Sequence, residues 1–279
     1  MENKQSTNKN HIFDSTQRGY LAIEELRGVF QYRDLIYQLV QRDIVARYKR
    51  SVLGIAWTML NPLGMMLVMT IIFSQLFQNV KGYPTYLLSG LLAWTFFAQT
   101  TSSSMQQIVW GSALLHRIYI PRTVFSVSSI GTGLVNLILS FVPLIIIMFV
   151  TAIPLHWSVL FLPVSIFLLA TFSLGVGLLL SIITVYFPDA AEMYQVALIA
   201  WMYLTPIIYP VEIIPGAYRY WLLHLNPMYY LSQIFRQPIY DGSLPSLPMV
   251  AMGLGISMLT LFIGWVIFSY KADEFTFRT

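Results

Sequence analysis

The run TVFSVSSIGTGLVNLILSFVPLIIIMFVT at residues 123–151 contains no ionisable side chain. It is long enough to cross a bilayer, which takes about 20 mostly apolar residues. Runs of the same kind lie on both sides of it, and the set reads roughly 54–78, 85–108, 123–151, 157–184, 191–210 and 248–269. Across all 279 residues 57% are hydrophobic and only 10% are charged, where a soluble domain carries about 25% charged residues. Polar side chains are too few to coat a globule of this size, so lipid must solvate most of the surface. The expected fold class is an all-α integral membrane protein with six transmembrane helices. An N-terminal amphipathic interfacial helix precedes them, and short re-entrant external helices precede the last span.

Charge sets the orientation. Nine of the 16 basic residues precede residue 51: Lys4, Lys9, Arg18, Arg27, Arg33, Arg42, Arg47, Lys49 and Arg50. Six spans put both termini on one side, and cytoplasmic loops carry the excess of Lys and Arg. With the N-terminus inside, those nine are joined by Arg117, Arg122, Lys271 and Arg278, leaving Lys81, Arg219 and Arg236 outside. Thirteen against three selects a multi-pass protein of the cytoplasmic (inner) membrane with N- and C-termini in the cytoplasm. The basic bias is therefore topological, and no nucleic-acid partner is expected. Met1 to Asn10 is polar with no apolar stretch close behind, so no secretory signal is expected.

The division is a polar cytoplasmic tail over 1–25 and a single transmembrane domain over 26–279. Within the latter, 26–48 reads as an amphipathic helix with Val29, Tyr32, Ile36, Leu39, Val40 and Ile44 at helical spacing. Asp43 and Arg47 fall on that same side, spaced to pair with each other. The sequence leaves open whether this helix lies on lipid headgroups or packs against the spans and shapes an entrance. Asn61-Pro62 either kinks the first span or marks its first turn. The tract from Thr100 to Ser104, with Gln106 and Gln107, puts too much hydroxyl and amide in a span for it to face lipid. Residues 110–122, WGSALLHRIYIPR, read as a short helix ended by Pro121 that mixes apolar residues with His116 and Arg117. That composition suits docking to a partner better than a connector, which takes about four to six residues. The external segment 211–247 is too apolar for a plain loop, and short helices breaking at Pro210, Pro215, Pro227 and Pro238 are expected there.

Several chemistries are missing. Among the six runs the only Asp, Glu, Lys or Arg is Glu192, at an edge, which argues against ion-coupled carriers. His11, His116, His156 and His224 are scattered and form no HExxH motif, and zero cysteines exclude thiol chemistry. No Gly-Lys pair occurs, so this chain has no P-loop. An enzyme acting alone is not expected. If ATP drives the protein, another chain supplies the site.

Three strings, RYKRSVLGIAWTMLNPL (47–63), LLHRIYIPRTVFSVSS (114–129) and YLTPIIYPVEIIPGAYRYWLLHLNPM (203–228), resemble the type-2 ABC exporter permeases for polysaccharides and polyol phosphates, including O-antigen, capsule and teichoic-acid permeases. The resemblance runs in order from about residue 27 to the C-terminus. It implies a half-transporter: a homodimer of this chain, two copies of a separate ABC ATPase binding ATP and Mg, and a polyprenyl-diphosphate-linked glycan as substrate. No cofactor is implied in this chain itself. By the same likeness 26–48 is similar to a gate helix, 110–121 resembles the ATPase-coupling helix (Leu114, Leu115, His116, Arg117, Tyr119, Pro121), and 211–238 looks like the re-entrant helices near the exit. Two positions depart from the family pattern. Pro188-Asp189 stands where an Arg-Asp pair is common, and Arg-Ile-Tyr-Ile-Pro (117–121) where Lys-Val-Tyr-Phe-Pro is common.

A sugar chain needs a wet conduit whose walls slide rather than grip. Tyr86, Trp94 and Phe97 in the second run and Tyr194, Trp201, Tyr203 and Tyr209 in the fifth supply rings for it. The same rings also suit an interfacial belt or packing between spans. Arg42, Arg47, Lys49 and Arg50 could attract a lipid diphosphate, or serve only as positive-inside anchors. The rival functions are an ABC-type permease for another lipid or drug amphiphile, and a passive six-span channel.

Overall fold

The computed structural model describes residues 21–49, 54, 56–115 and 121–271. Among them all regular structure is helical: α1 (Leu21–Gln31), α2 (Arg33–Tyr48), α3 (Ala56–Phe73), α4 (Tyr83–Leu115), α5 (Thr123–Val150), α6 (Leu162–Tyr186), α7 (Ala190–Leu204), α8 (Gly216–His224), α9 (Pro227–Tyr240) and α10 (Leu247–Lys271). Short 3-10 turns at Trp157–Phe161 and Val211–Ile213 lead into α6 and α8.

Four described segments are long and apolar enough to cross a membrane: Ala56–Phe73, Thr123–Val150, Trp157–Tyr186 and Leu247–Lys271. The other two expected runs are not among these four. The second lies inside α4, whose 33 residues reach about 50 Å, and its polar tract lowers the hydropathy. The fifth is shortened to α7, whose 15 residues reach about 22 Å against a hydrocarbon core of about 30 Å. Thr205 precedes Pro206 and is extended, at φ −100° and ψ 130°, because a residue before proline is driven out of the helical region.

Helix α4 is the hub, packing against α3, α5, α6, α7 and α9. Its Leu87, Leu88, Leu91, Leu92, Phe96 and Phe97 are buried. Gly82, at φ 60°, turns the chain into it from the preceding loop. Small residues let the helices approach closely, as membrane packing requires. A Cβ at Gly175 of α6 would lie 2.6 Å from the Leu261 backbone nitrogen of α10. Hydroxyls add cross-helix bonds: Ser165 donates to the Ile234 carbonyl at 2.9 Å, Ser257 to that of Leu168 at 3.0 Å and Ser158 to that of Pro238 at 2.8 Å.

Several local expectations change. The amphipathic helix begins at Leu21 and is divided by a one-residue break at Tyr32. Of its predicted stripe, Leu39 is buried and the rest is half-buried, turned toward α5. Pro62 lies inside α3 rather than in its first turn. The separate helix expected at 110–122 is, through Leu115, a continuation of α4. Pro210, Pro215 and Pro227 mark breaks in the external segment, whereas Pro238 sits within α9.

Gly175→Ala forces a Cβ onto the α10 backbone, an overpacking cost of about 1–3 kcal/mol. Gly255→Ala meets nothing within 4 Å. Thermal unfolding in detergent should fall clearly for the first substitution and stay near wild type for the second.

Candidate functional site

The break after α7 leaves backbone groups without helical partners. In a membrane protein such backbone is tolerated only where protein or a cavity satisfies it. Here side chains do so at four consecutive carbonyls. The Arg236 guanidinium on α9 donates to Pro206 O at 3.0 Å and to Ile207 O at 2.9 Å. On α4 the Tyr83 hydroxyl donates to Ile208 O at 2.8 Å, and the Tyr86 hydroxyl to Tyr209 O at 3.0 Å. Arg236 also lies over the Tyr86 ring, its Cζ 3.9 Å from the centroid. The guanidinium fits because residue 90 is glycine, where any Cβ would collide with it.

Asn226 closes the same break from below. Its amide donates to Thr205 Oγ1 at 2.8 Å, and its oxygen accepts from Trp201 Nε1 at 2.9 Å and from the Met228 backbone N–H at 3.1 Å. The last bond caps α9, with Pro227 pre-set for its first turn.

Arg236, counted among the external basic residues, lies within α9 and is 1% exposed. Ring and carbonyls replace its water. The hint in the sequence is its setting, Ile234-Phe235-Arg236, a charge directly after two large apolar residues.

The aromatic residues separate into two groups. Trp201 packs edge to face on Trp94 and Phe97, 6.1 Å from Trp94 and 5.2 Å from Phe97 between centroids. Phe97 stacks on Phe172 of α6. Tyr194 and Trp201 share the α7 face toward α4, and the Tyr194 hydroxyl lies 2.8 Å from Thr101 Oγ1. Tyr86, Trp94, Phe97 and Tyr194 are buried, so within this chain they join α4 to its neighbours. Trp201 and Tyr209 are half-buried, and Tyr203 is exposed.

The polar tract of α4 has two faces. Thr100, Thr101 and Ser104 are buried and return their hydroxyls to carbonyls of their own helix, at Phe96, Phe97 and Thr100. The other face carries Gln99, Ser102, Ser103 and Gln106. With Ala98, Gln195 and Leu198 it lines an open groove of about 360 Å³. Gln195 of α7 donates across it to Ser102 Oγ at 3.1 Å.

At the other end of α4, Asp43 of α2 accepts from Arg42 at 2.8 Å through one oxygen and from Gln107 at 2.6 Å through the other. The expected pairing with Arg47 falls on a side chain outside the described residues, and Arg50 lies outside them too. Lys49 is exposed. Leu114 and Leu115 lie in the last turn of α4 with side chains not described, and His116, Arg117 and Tyr119 lie outside the described residues. Pro121 is buried beneath Gly28 of α1.

The ABC-2 type transporter family matches residues 34–240. An O-antigen export system permease protein of Myxococcus xanthus is 32% identical over 256 residues, covering 91% of this chain and 98% of its own length. One from Klebsiella pneumoniae is 24% identical over 214 residues, 76% of this chain and 82% of its own. A polysialic acid transport protein of Escherichia coli is 25% identical over 244 residues, 84% of this chain and 92% of its own.

Arg236→Met strips two buried carbonyls of their donors, at about 1–3 kcal/mol for each group left unpaired. Hydrogen exchange should rise about tenfold or more over 203–210 and stay unchanged in α6. Equal exchange in that segment would contradict the clamp.

Proposed function

The chain belongs to the ABC-2 type transporter family, and on that premise we propose that it is the membrane-spanning permease subunit of an ATP-driven polysaccharide exporter. The observation that carries this reading is the polar outer face of α4. A protein that is 57% hydrophobic spends Gln99, Ser102, Ser103, Gln106 and Gln195 on one open groove. Hydroxyls and amides exchange hydrogen bonds readily with a hydroxylated polymer, and they hold no charge that would trap it. The names of the relatives support the same substrate class.

In this proposal six spans cross the inner membrane: α3, α4, α5, the 3-10 turn with α6, α7 with its pinned turn, and α10. Both termini face the cytoplasm, and residues 26–279 form one transmembrane domain after a polar tail. Helices α8 and α9 re-enter from outside, α9 packing against α4, α6 and α10. The groove is open on one side, and a second copy of the chain closes it into a conduit. Two copies of an ATPase subunit, binding ATP and Mg, dock beneath at 110–121, with Leu114, Leu115, His116, Arg117, Tyr119 and Pro121 at the contact. The substrate is a glycan on a polyprenyl diphosphate, drawn to Arg42, Arg47, Lys49 and Arg50. Tyr203 and the accessible edges of Trp201 and Tyr209 face the sugar, while Tyr86, Trp94, Phe97 and Tyr194 brace the wall.

Replacing Ser102, Ser103 and Gln106 together by Leu tests the conduit. Surface glycan in a strain dependent on this chain should drop about tenfold, the effect of roughly 1.4 kcal/mol on transit, with the permease still inserted at wild-type level. Unchanged export would overturn the conduit assignment. ATP turnover stimulated by simple amphiphiles and not by a lipid-linked glycan would favour a lipid or drug permease.

A further inference from the structure

The N-terminal helices are fastened at two places, one on each side of the connection between α4 and α5. On the α5 side, the Glu25 carboxylate of α1 accepts from Thr123 Oγ1 at 2.6 Å, in the first turn of α5. Glu25 is 9% exposed, and a carboxylate beside a helix N-terminus is favoured by the helix dipole. Three residues on, Gly28 lies flat on Pro121, and any Cβ there would collide with the proline ring. On the α4 side, Gln107 Nε2 donates to Asp43 Oδ2 of α2 at 2.6 Å, while its Oε1 accepts from Ser128 of α5 at 2.9 Å. Chemistry assigns the amide: a carboxylate only accepts, so the NH₂ must face Asp43. One glutamine thus ties α2, α4 and α5 together. Between the two fastenings Leu39 is buried with Val124 and Phe125, and Val40 crowds Gly131.

We propose that α1 and α2 form a strap fastened to both helices flanking residues 116–120, with Glu25 and Asp43 as positioning residues that carry displacement of those helix ends into α2. The proposal rests on the exporter function above, in which an ATPase drives the cytoplasmic ends of α4 and α5. Packing alone would let α2 slide along α5. The Gln107 relay forbids it, because a shift that breaks one of its bonds strains the other. Movement at the foot of either helix therefore reaches α2, which borders the lower end of the polar tract of α4.

The test uses the full chain with its ATPase subunit and reads glycan exported per ATP hydrolysed. Gln107→Glu sets two carboxylates against each other. Gln107→Glu with Asp43→Asn restores an amide–carboxylate pair with its direction reversed. The single variant should lower the ratio about tenfold, the scale of one hydrogen bond to a charged group, with ATP turnover within about twofold of wild type. The double variant should return the ratio close to wild type. An unchanged ratio in the single variant overturns the strap. So does a parallel loss of ATP turnover and export that the double variant fails to rescue. A wild-type chain that binds no ATPase overturns the exporter function, and the strap with it; a working wild-type complex insensitive to the swap overturns the strap alone.

Discussion

Four successive carbonyls, Pro206 to Tyr209, need donors that no helix provides, and the outer half of the molecule is arranged around meeting that need. In hydrocarbon an unpaired backbone group costs several kcal/mol, so a 15-residue α7 cannot simply stop at membrane depth. Arg236 from α9 and Tyr83 and Tyr86 from α4 supply the donors. Meeting that need fixes α9 against α4, requires glycine at position 90 and recruits Asn226 to hold both the end of α7 and the start of α9. A buried cation without a carboxylate partner is stable here because carbonyl dipoles and a ring face replace its water.

The same economy governs the middle and the cytoplasmic end. Hydroxyls on the inner face of α4 are satisfied by their own helix and by Tyr194, so the tract costs little where it is buried. Its outer face keeps unburied amides and hydroxyls for a polar occupant. On α1 the exposed Ile23, Leu26 and Phe30 lie apart from the Glu25 and Gly28 contacts, so one short helix offers an apolar face and a docked face.

The long helices were legible because runs such as 123–151 and 248–269 hold no ionisable side chain, and α5 and α10 end within two residues of those limits. The fifth run was drawn too long for a definite reason. Ile207, Ile208 and Tyr209 are as apolar as a span, and hydropathy does not register the backbone break that Pro206 imposes. The burial of Arg236 was not legible because its partners are distant in sequence: charge counting has no access to a cavity made by Gly90 and Tyr86. The polar tract was recognisable as unfit for lipid. Its division follows from helical period, with 99, 102, 103 and 106 on one side. Gln195, from another helix, required the fold. The Gln107 bond to Asp43 required the fold too, because the two residues lie 64 positions apart.

The account stands or falls on whether this chain works as half of an ATP-driven complex. The most direct measurement is the mass and composition of the complex purified from native membranes in mild detergent. Two copies of this chain with two copies of a partner carrying a P-loop nucleotide site are predicted. A homo-oligomer that retains no ATPase, even after cross-linking in the membrane, would contradict it.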